Sequence, residues 1–163
     1  LSTEAKTVMN DDALKQLLDS SRTVAVVGIS KNWNRPSNFV AKYLKEHGYT
    51  IIPVNPKYEN VLGMKCYPSL SEVPLEIDLV NCFRKPNELN NILVELLDKG
   101  VKKLWLQIGV INREVKEFAE RQGVSVVMDR CIKIEHARLF GGLNFVGVNT
   151  KVISSKRSRQ VYN

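Results

Sequence analysis

Five short stretches of the sequence collect groups that hold anions or hydrogen-bond a polar ligand. They are Gly28-Ile29-Ser30 with Lys31, Arg35, Pro36 and Ser37; Asn55-Pro56-Lys57; Phe83-Arg84-Lys85-Pro86; Gln107-Ile108-Gly109; and Asp129-Arg130-Cys131. Lys and Arg bring positive charge, and Arg grips phosphate with two parallel bonds. A glycine and a hydroxyl shortly before a helix place free backbone N–H groups where an anion can reach them. This is binding chemistry. A catalytic constellation is absent: no nucleophile pattern accompanies His136 in "IEHARL", which reads as a structural hydrogen-bonding group. His47, just before Gly48, reads as a cation near a helix's negative end.

The three cysteines, Cys66, Cys82 and Cys131, are widely spaced and form no CxxC pair. Their number and spacing argue against a disulfide framework or a zinc site and for a reducing, cytoplasmic compartment. With two histidines in the chain, no metal site is expected. Cys131 follows Arg130 at a predicted helix start, a setting that lowers a thiol's pKa, but its ordinary reading is a small buried residue. A mixed disulfide with a ligand thiol is left open.

The elements that position these stretches follow from apolar spacing. "TVAVVG", "TIIPV", "IDLVNCF", "KKLWLQI" and "VSVVM" are short apolar runs that read as strands buried on both faces. Helices alternate with them. Asn10 caps the first, which carries Ala13, Leu14, Leu17 and Leu18. Pro36 opens the second, with Phe39, Val40, Tyr43 and Leu44 on one face. Pro86 opens a third carrying Leu89, Ile92, Leu93, Leu96 and Leu97, closed by Gly100. Asn112 caps a fourth with Val115, Phe118 and Ala119, and the residues from Cys131 to Phe140 form the last. Lys57 to Glu76 reads as loop with a short helix at "SLSEV", and Trp105 reads as core. Five strands alternating with helices predict a parallel sheet covered on both faces, in the order 3-2-1-4-5, with 2-1-3-4-5 as the competitor. Ligands of such sheets bind beyond the carboxyl ends of the strands, where the winding reverses. All five chemical stretches lie at those ends.

The bulk numbers exclude several classes. The 163 residues, 44% hydrophobic and 25% charged, suit a soluble α/β unit, and no apolar run approaches the ~20 residues of a membrane span. The start, "LSTEAKTVMNDD", shows no secretory signal pattern, and it does not begin with Met. The net charge is +7, of which Lys151, Lys156, Arg157 and Arg159 supply four in a segment without acids. Nucleic acid is not an expected partner, because no recognised nucleic-acid motif accompanies that basic run.

A dinucleotide is the default ligand for such an edge. The turn here is G-x-S, not G-x-G-x-x-G, and the second strand ends in Asn55 between prolines instead of an acid for a ribose hydroxyl. An NAD(P)-dependent oxidoreductase is therefore the alternative reading. "VVGIS", "RPSNFVAKYLKEHGYTIIPVNPKYENVLGMKCYPSL", "DLVNCFRKP", "WLQIGV" and "VVMDRCIKIEH" together resemble the small CoA-binding proteins, relatives of the CoA-binding N-terminal domain of the succinyl-CoA synthetase alpha subunit. The resemblance runs from about Ser20 to Leu139.

That resemblance implies a Rossmann-like three-layer α/β sandwich that binds coenzyme A or an acyl-CoA. It implies Gly28, Ile29 and Ser30 along the phosphates, with Arg35, Pro36 and Ser37 completing the loop. It further implies Asn55, Pro56 and Lys57 beside the adenosine, and Phe83 and Arg84 closing the other side. The expected organisation is an N-terminal helical segment, 1–22, a CoA-binding domain, 23–140, and a basic tail, 141–163. The synthetase's phosphohistidine-bearing second domain has no counterpart, so the expected function is coenzyme A binding without catalysis of its own.

Overall fold

The computed structural model describes residues 9–141; the expected basic tail beyond Gly141 lies outside the described residues. In chain order the elements are α1 (Asp11–Asp19), β1 (Thr23–Val27), α2 (Pro36–Glu46), β2 (Thr50–Val54), β3 (Asn60–Val61), β4 (Met64–Lys65), β5 (Leu79–Cys82), α3 (Leu89–Asp98), β6 (Lys103–Leu106), α4 (Arg113–Arg121), β7 (Ser125–Val127) and α5 (Ile132–Phe140). Short 3-10 turns occupy Leu70–Glu72, the expected "SLSEV" helix, and Pro86–Glu88, which leads into α3. The caps act as their residue types dictate. Asn10 Oδ1 accepts the Ala13 N–H at 2.8 Å, and Asn112 Oδ1 accepts that of Val115 at 3.1 Å.

Five strands form one parallel sheet in the order β2-β1-β5-β6-β7. Its strands are apolar throughout because both faces are covered. On one face Val24, Val26, Ile51, Leu79, Trp105 and Val127 share a core with residues of α1, α2 and α5. On the other, Ala25, Ile52, Val54, Val80, Leu104 and Val126 pack with Leu89, Ile92, Leu93 and Leu96 of α3 and Val115 and Ala119 of α4. This is a Rossmann-like α/β fold.

The expected strand order requires correction. Numbered along the parallel sheet, the observed order is 2-1-3-4-5, the competitor, and not 3-2-1-4-5. Two features explain it. The α2 crossover covers one face; the connection from β2 to β5 first packs Val61 and Cys66 at its hairpin on that side, then runs over the other face, burying Leu70, Val73 and Ile77 there. Right-handed crossovers on opposite faces advance in opposite directions, so β5 docks on the far side of β1. The outer edge of β2 is also occupied. The Tyr67 N–H donates to the Pro53 carbonyl at 3.0 Å, and the Asn55 N–H to the Tyr67 carbonyl at 2.9 Å.

Phe118 also departs from expectation. It is exposed, with the Arg121 guanidinium 5.8 Å from its ring centre, while Val115 and Ala119 alone make the buried face of α4.

Candidate functional site

With this order, the winding reverses between β1 and β5, and the loops leaving those two strands are neighbours. After β1 the chain turns at Gly28, with φ +88° and its N–H on the Val54 carbonyl at 2.9 Å. A Cβ at Gly28 would meet the Arg84 Cδ and the Phe83 carbonyl carbon, both at 3.3 Å. Glycine is needed here twice, for the left-handed backbone and for the close approach of the β5 loop. The half-buried Arg84 side chain therefore lies along the β1 turn. In the order 3-2-1-4-5, β2 would stand between these two strands.

Beyond Gly28 the loop is held by side chains. Ile29 is fully buried, and its carbonyl accepts from Asn55 Nδ2 at 2.8 Å. The Ser30 N–H donates to Ser37 Oγ at 2.9 Å, and the Ser30 carbonyl accepts from Asn38 Nδ2 at 2.8 Å. The first turn of α2 thus folds back on the loop that precedes it. Arg35 is its N-cap residue, extended and without a side-chain cap bond, and Pro36 occupies the first turn; both are exposed. Buried Asn55 ties the second loop to the first, since its Oδ1 also accepts the Lys57 N–H at 2.9 Å. Pro56 and Lys57 project from this brace into solvent. Lys31 crosses between the loops, its Nζ 5.6 Å from the Tyr58 ring centre.

Gly28, Phe83 and Arg84 are thus in contact, Ser30 pairs with Ser37, and Ile29 pairs with Asn55. Arg35, Pro36 and Lys57 form an exposed rim. Ile29 and Asn55 serve as framework, with their side chains engaged in the fold. Sequence reasoning missed Asn38 and the Lys31–Tyr58 contact. A polar residue in the first turn of an apolar-faced helix was the available sign for Asn38. Asn81 was signalled by a lone polar residue within "DLVNCF". It is fully buried, pairs in register with Val26 and Trp105, and has no side-chain hydrogen bond among the described residues.

The remaining stretches brace one another. Gln107 Oε1 accepts the Ile132 N–H at 3.0 Å, and Asp129, at φ +61°, accepts the Gly109 N–H at 2.9 Å. Trp105 is core, as expected, and its indole N–H donates to the Arg130 carbonyl at 2.8 Å. Cys131 is half-buried at the N-cap of α5.

Burial is the first cause of most displaced pKa values; the exceptions are Asp11, lowered, and Arg138, raised, by the hydrogen bonds of their ion pair. The Cys82 thiol, one residue before Phe83, is pushed up to about 11 by desolvation, which disfavours the thiolate a nucleophile needs. His136 is buried, its Nδ1 2.9 Å from the Tyr43 hydroxyl, and desolvation and nearby His47 bring it down to about 4. That pair is a structural contact between α2 and α5, as the sequence reading held. Among the described residues, no group of three His, Cys, Asp or Glu is arranged to hold a metal, and no helix is long and apolar enough to cross a membrane.

Residues 22–137 match the family model described as a CoA binding domain. An uncharacterized protein of Bacillus subtilis, YneT, is 40% identical over 124 residues, which are 76% of this chain and 92% of that protein. The ADP-forming acetate–CoA ligase I of Archaeoglobus fulgidus is 31% identical over 125 residues, covering 68% of this chain and 18% of the ligase. A solved structure of a hypothetical protein from Pyrococcus horikoshii superposes with a TM-score of 0.79 at 41% identity, covering 82% of this chain and 94% of that one.

Proposed function

The chain belongs to the CoA-binding domain family, and from that premise we propose that it binds coenzyme A or an acyl-CoA at the reversal point between β1 and β5, without catalysis of its own. The observation that carries the reading is the contact of Arg84 with Gly28. The missing Cβ lets the β5 loop close on the β1 turn and brings the Arg84 guanidinium beside it, where it can offer paired donors to an anion. Such a cradle fits a phosphate. Gly28, Ser30 and Ser37 would line it, with Arg35 and Lys57 adding charge from the rim and Phe83 closing the side next to Arg84. Ile29 and Asn55 would hold the loops in register, and Pro56, exposed beside Lys57, would flank the adenosine. Coenzyme A brings a pyrophosphate, a 3′-phosphate and a thiol that carries acyl groups.

The NAD(P) alternative has less support. Asn55 stands where an acid would accept from the ribose, and its carboxamide is already engaged with Ile29 and Lys57. The binding unit is taken as 23–140 with α1 packed on it. Three free cysteines are in keeping with a reducing compartment.

Thermal denaturation in the presence of coenzyme A, NAD or NADP tests the proposal. Coenzyme A at 100 times its dissociation constant should add about 2.7 kcal/mol of stability. A shift with NAD and none with coenzyme A would overturn the reading.

A further inference from the structure

We infer that Trp33 is the platform on which the adenine of the bound nucleotide stacks, an assignment that rests on the coenzyme A reading. Trp33 is the most exposed large apolar side chain among the described residues, with 78% of its surface open. An isolated exposed apolar residue needs no explanation by itself. Its place in the chain is what gives this one meaning. It lies in the loop between Ser30 and Arg35, the same loop that carries the hydroxyl and the guanidinium of the proposed phosphate site.

That loop has a defined backbone. The Asn32 N–H donates to Ser30 Oγ at 3.0 Å, the Asn34 N–H to Asn32 Oδ1 at 3.4 Å, and the Arg35 N–H to the Asn32 carbonyl at 3.0 Å. Trp33 therefore sits at the corner of a turn closed from Asn32 to Arg35 and tied back to Ser30. Three residues of chain put it within about 11 Å of Ser30, a gap that a ribose and its base can bridge. On the adjoining loop after β2, the Tyr58 ring already has the Lys31 ammonium over it, 5.6 Å from its centre. A broad indole held in solvent beside a phosphate cradle suits a purine, whose π-face stacks on an aromatic ring.

The chain has two tryptophans, and the other, Trp105, is fully buried. Tryptophan emission therefore reports on Trp33 against a shielded background. Coenzyme A and adenosine 3′,5′-bisphosphate should quench it, and 4′-phosphopantetheine, which lacks the base, should not. Trp33→Ala should weaken coenzyme A binding about 10-fold by calorimetry, and Trp33→Phe should recover part of that loss. Calorimetric binding of coenzyme A with unchanged emission, or with wild-type affinity in Trp33→Ala, overturns the assignment and leaves the coenzyme A reading standing. Neither heat nor quenching with the wild-type protein overturns both.

Discussion

Gly28→Ala tests the centre of the site. At φ +88° an L side chain is strained by about 1–2 kcal/mol. The new Cβ also stands 3.3 Å from two atoms that differ in their freedom to yield. Arg84 Cδ belongs to a flexible chain and can swing away. The Phe83 carbonyl carbon is backbone at the end of a central strand and cannot. Crowding of that kind adds about 1 kcal/mol or more, so the variant should lose about 2–3 kcal/mol in urea denaturation. The displaced guanidinium gives up charge-assisted bonds worth about 1.5–3 kcal/mol each, so coenzyme A should bind at least about 10-fold more weakly by calorimetry. A double-mutant cycle separates the two effects. With Arg84→Ala already present, Gly28→Ala should still destabilise, because the Phe83 contact remains, but should cost little further affinity. A Gly28→Ala protein with wild-type stability would refute the packing argument. Affinity losses that simply add in the double mutant would refute the claim that Gly28 acts through Arg84.

Two further outcomes are expected. Arg84→Ala alone should leave the fold intact and weaken coenzyme A at least about 10-fold, with Arg84→Lys restoring only part because the planar fork is lost; calorimetry with coenzyme A and dephospho-coenzyme A checks this and shows which phosphate is held. His136 should make folding pH-dependent, because its folded pKa of about 4 lies below the unfolded value of 6.5. The unfolded chain then takes up the proton first, so the stability from neutral His136 is full above about pH 7 and falls as pH drops toward 4, by up to about 3 kcal/mol. Urea midpoints at about pH 7 and pH 5 for the wild type and His136→Gln check it; equal pH dependence in the two would show that His136 is not the source.

Much of this architecture was legible in the sequence because each apolar run reports its own burial. "TVAVVG" and "TIIPV" are apolar on successive residues, as strands between two helical layers must be. The order of the strands was not legible. It depends on which face the connection from β2 to β5 crosses, and that segment has no long helix whose apolar stripe would declare a side. The β3–β4 hairpin escaped for a similar reason, since its strands have two residues each and show no alternation. At the site, residue types at the strand ends pointed to the loops of the proposed ligand site. They could not separate rim from framework. Arg35 and Asn55 both lie at strand-end loops, yet one is exposed and the other is buried with its carboxamide engaged on both sides. That division is set by contacts across more than twenty residues of chain.

The strap that Tyr67 lays on β2 also bears on how copies of this protein meet. A terminal strand normally offers a row of unpaired N–H and C=O groups, a template for adding strands from other molecules. In β2 the groups of Thr50, Ile52 and Val54 point inward to β1, as the Thr50 N–H on the Arg22 carbonyl and the Gly28 N–H on the Val54 carbonyl show. Of the outward set, Pro53 has no N–H to offer, its carbonyl is taken by Tyr67, and the Asn55 N–H is taken as well. Ile51 is left, and one residue is too short to seed a ladder. Proline at a sheet margin is tolerated for this geometric reason. Here it also closes that margin to intermolecular growth, so self-association by sheet extension is blocked on the side of the sheet next to the proposed ligand loops.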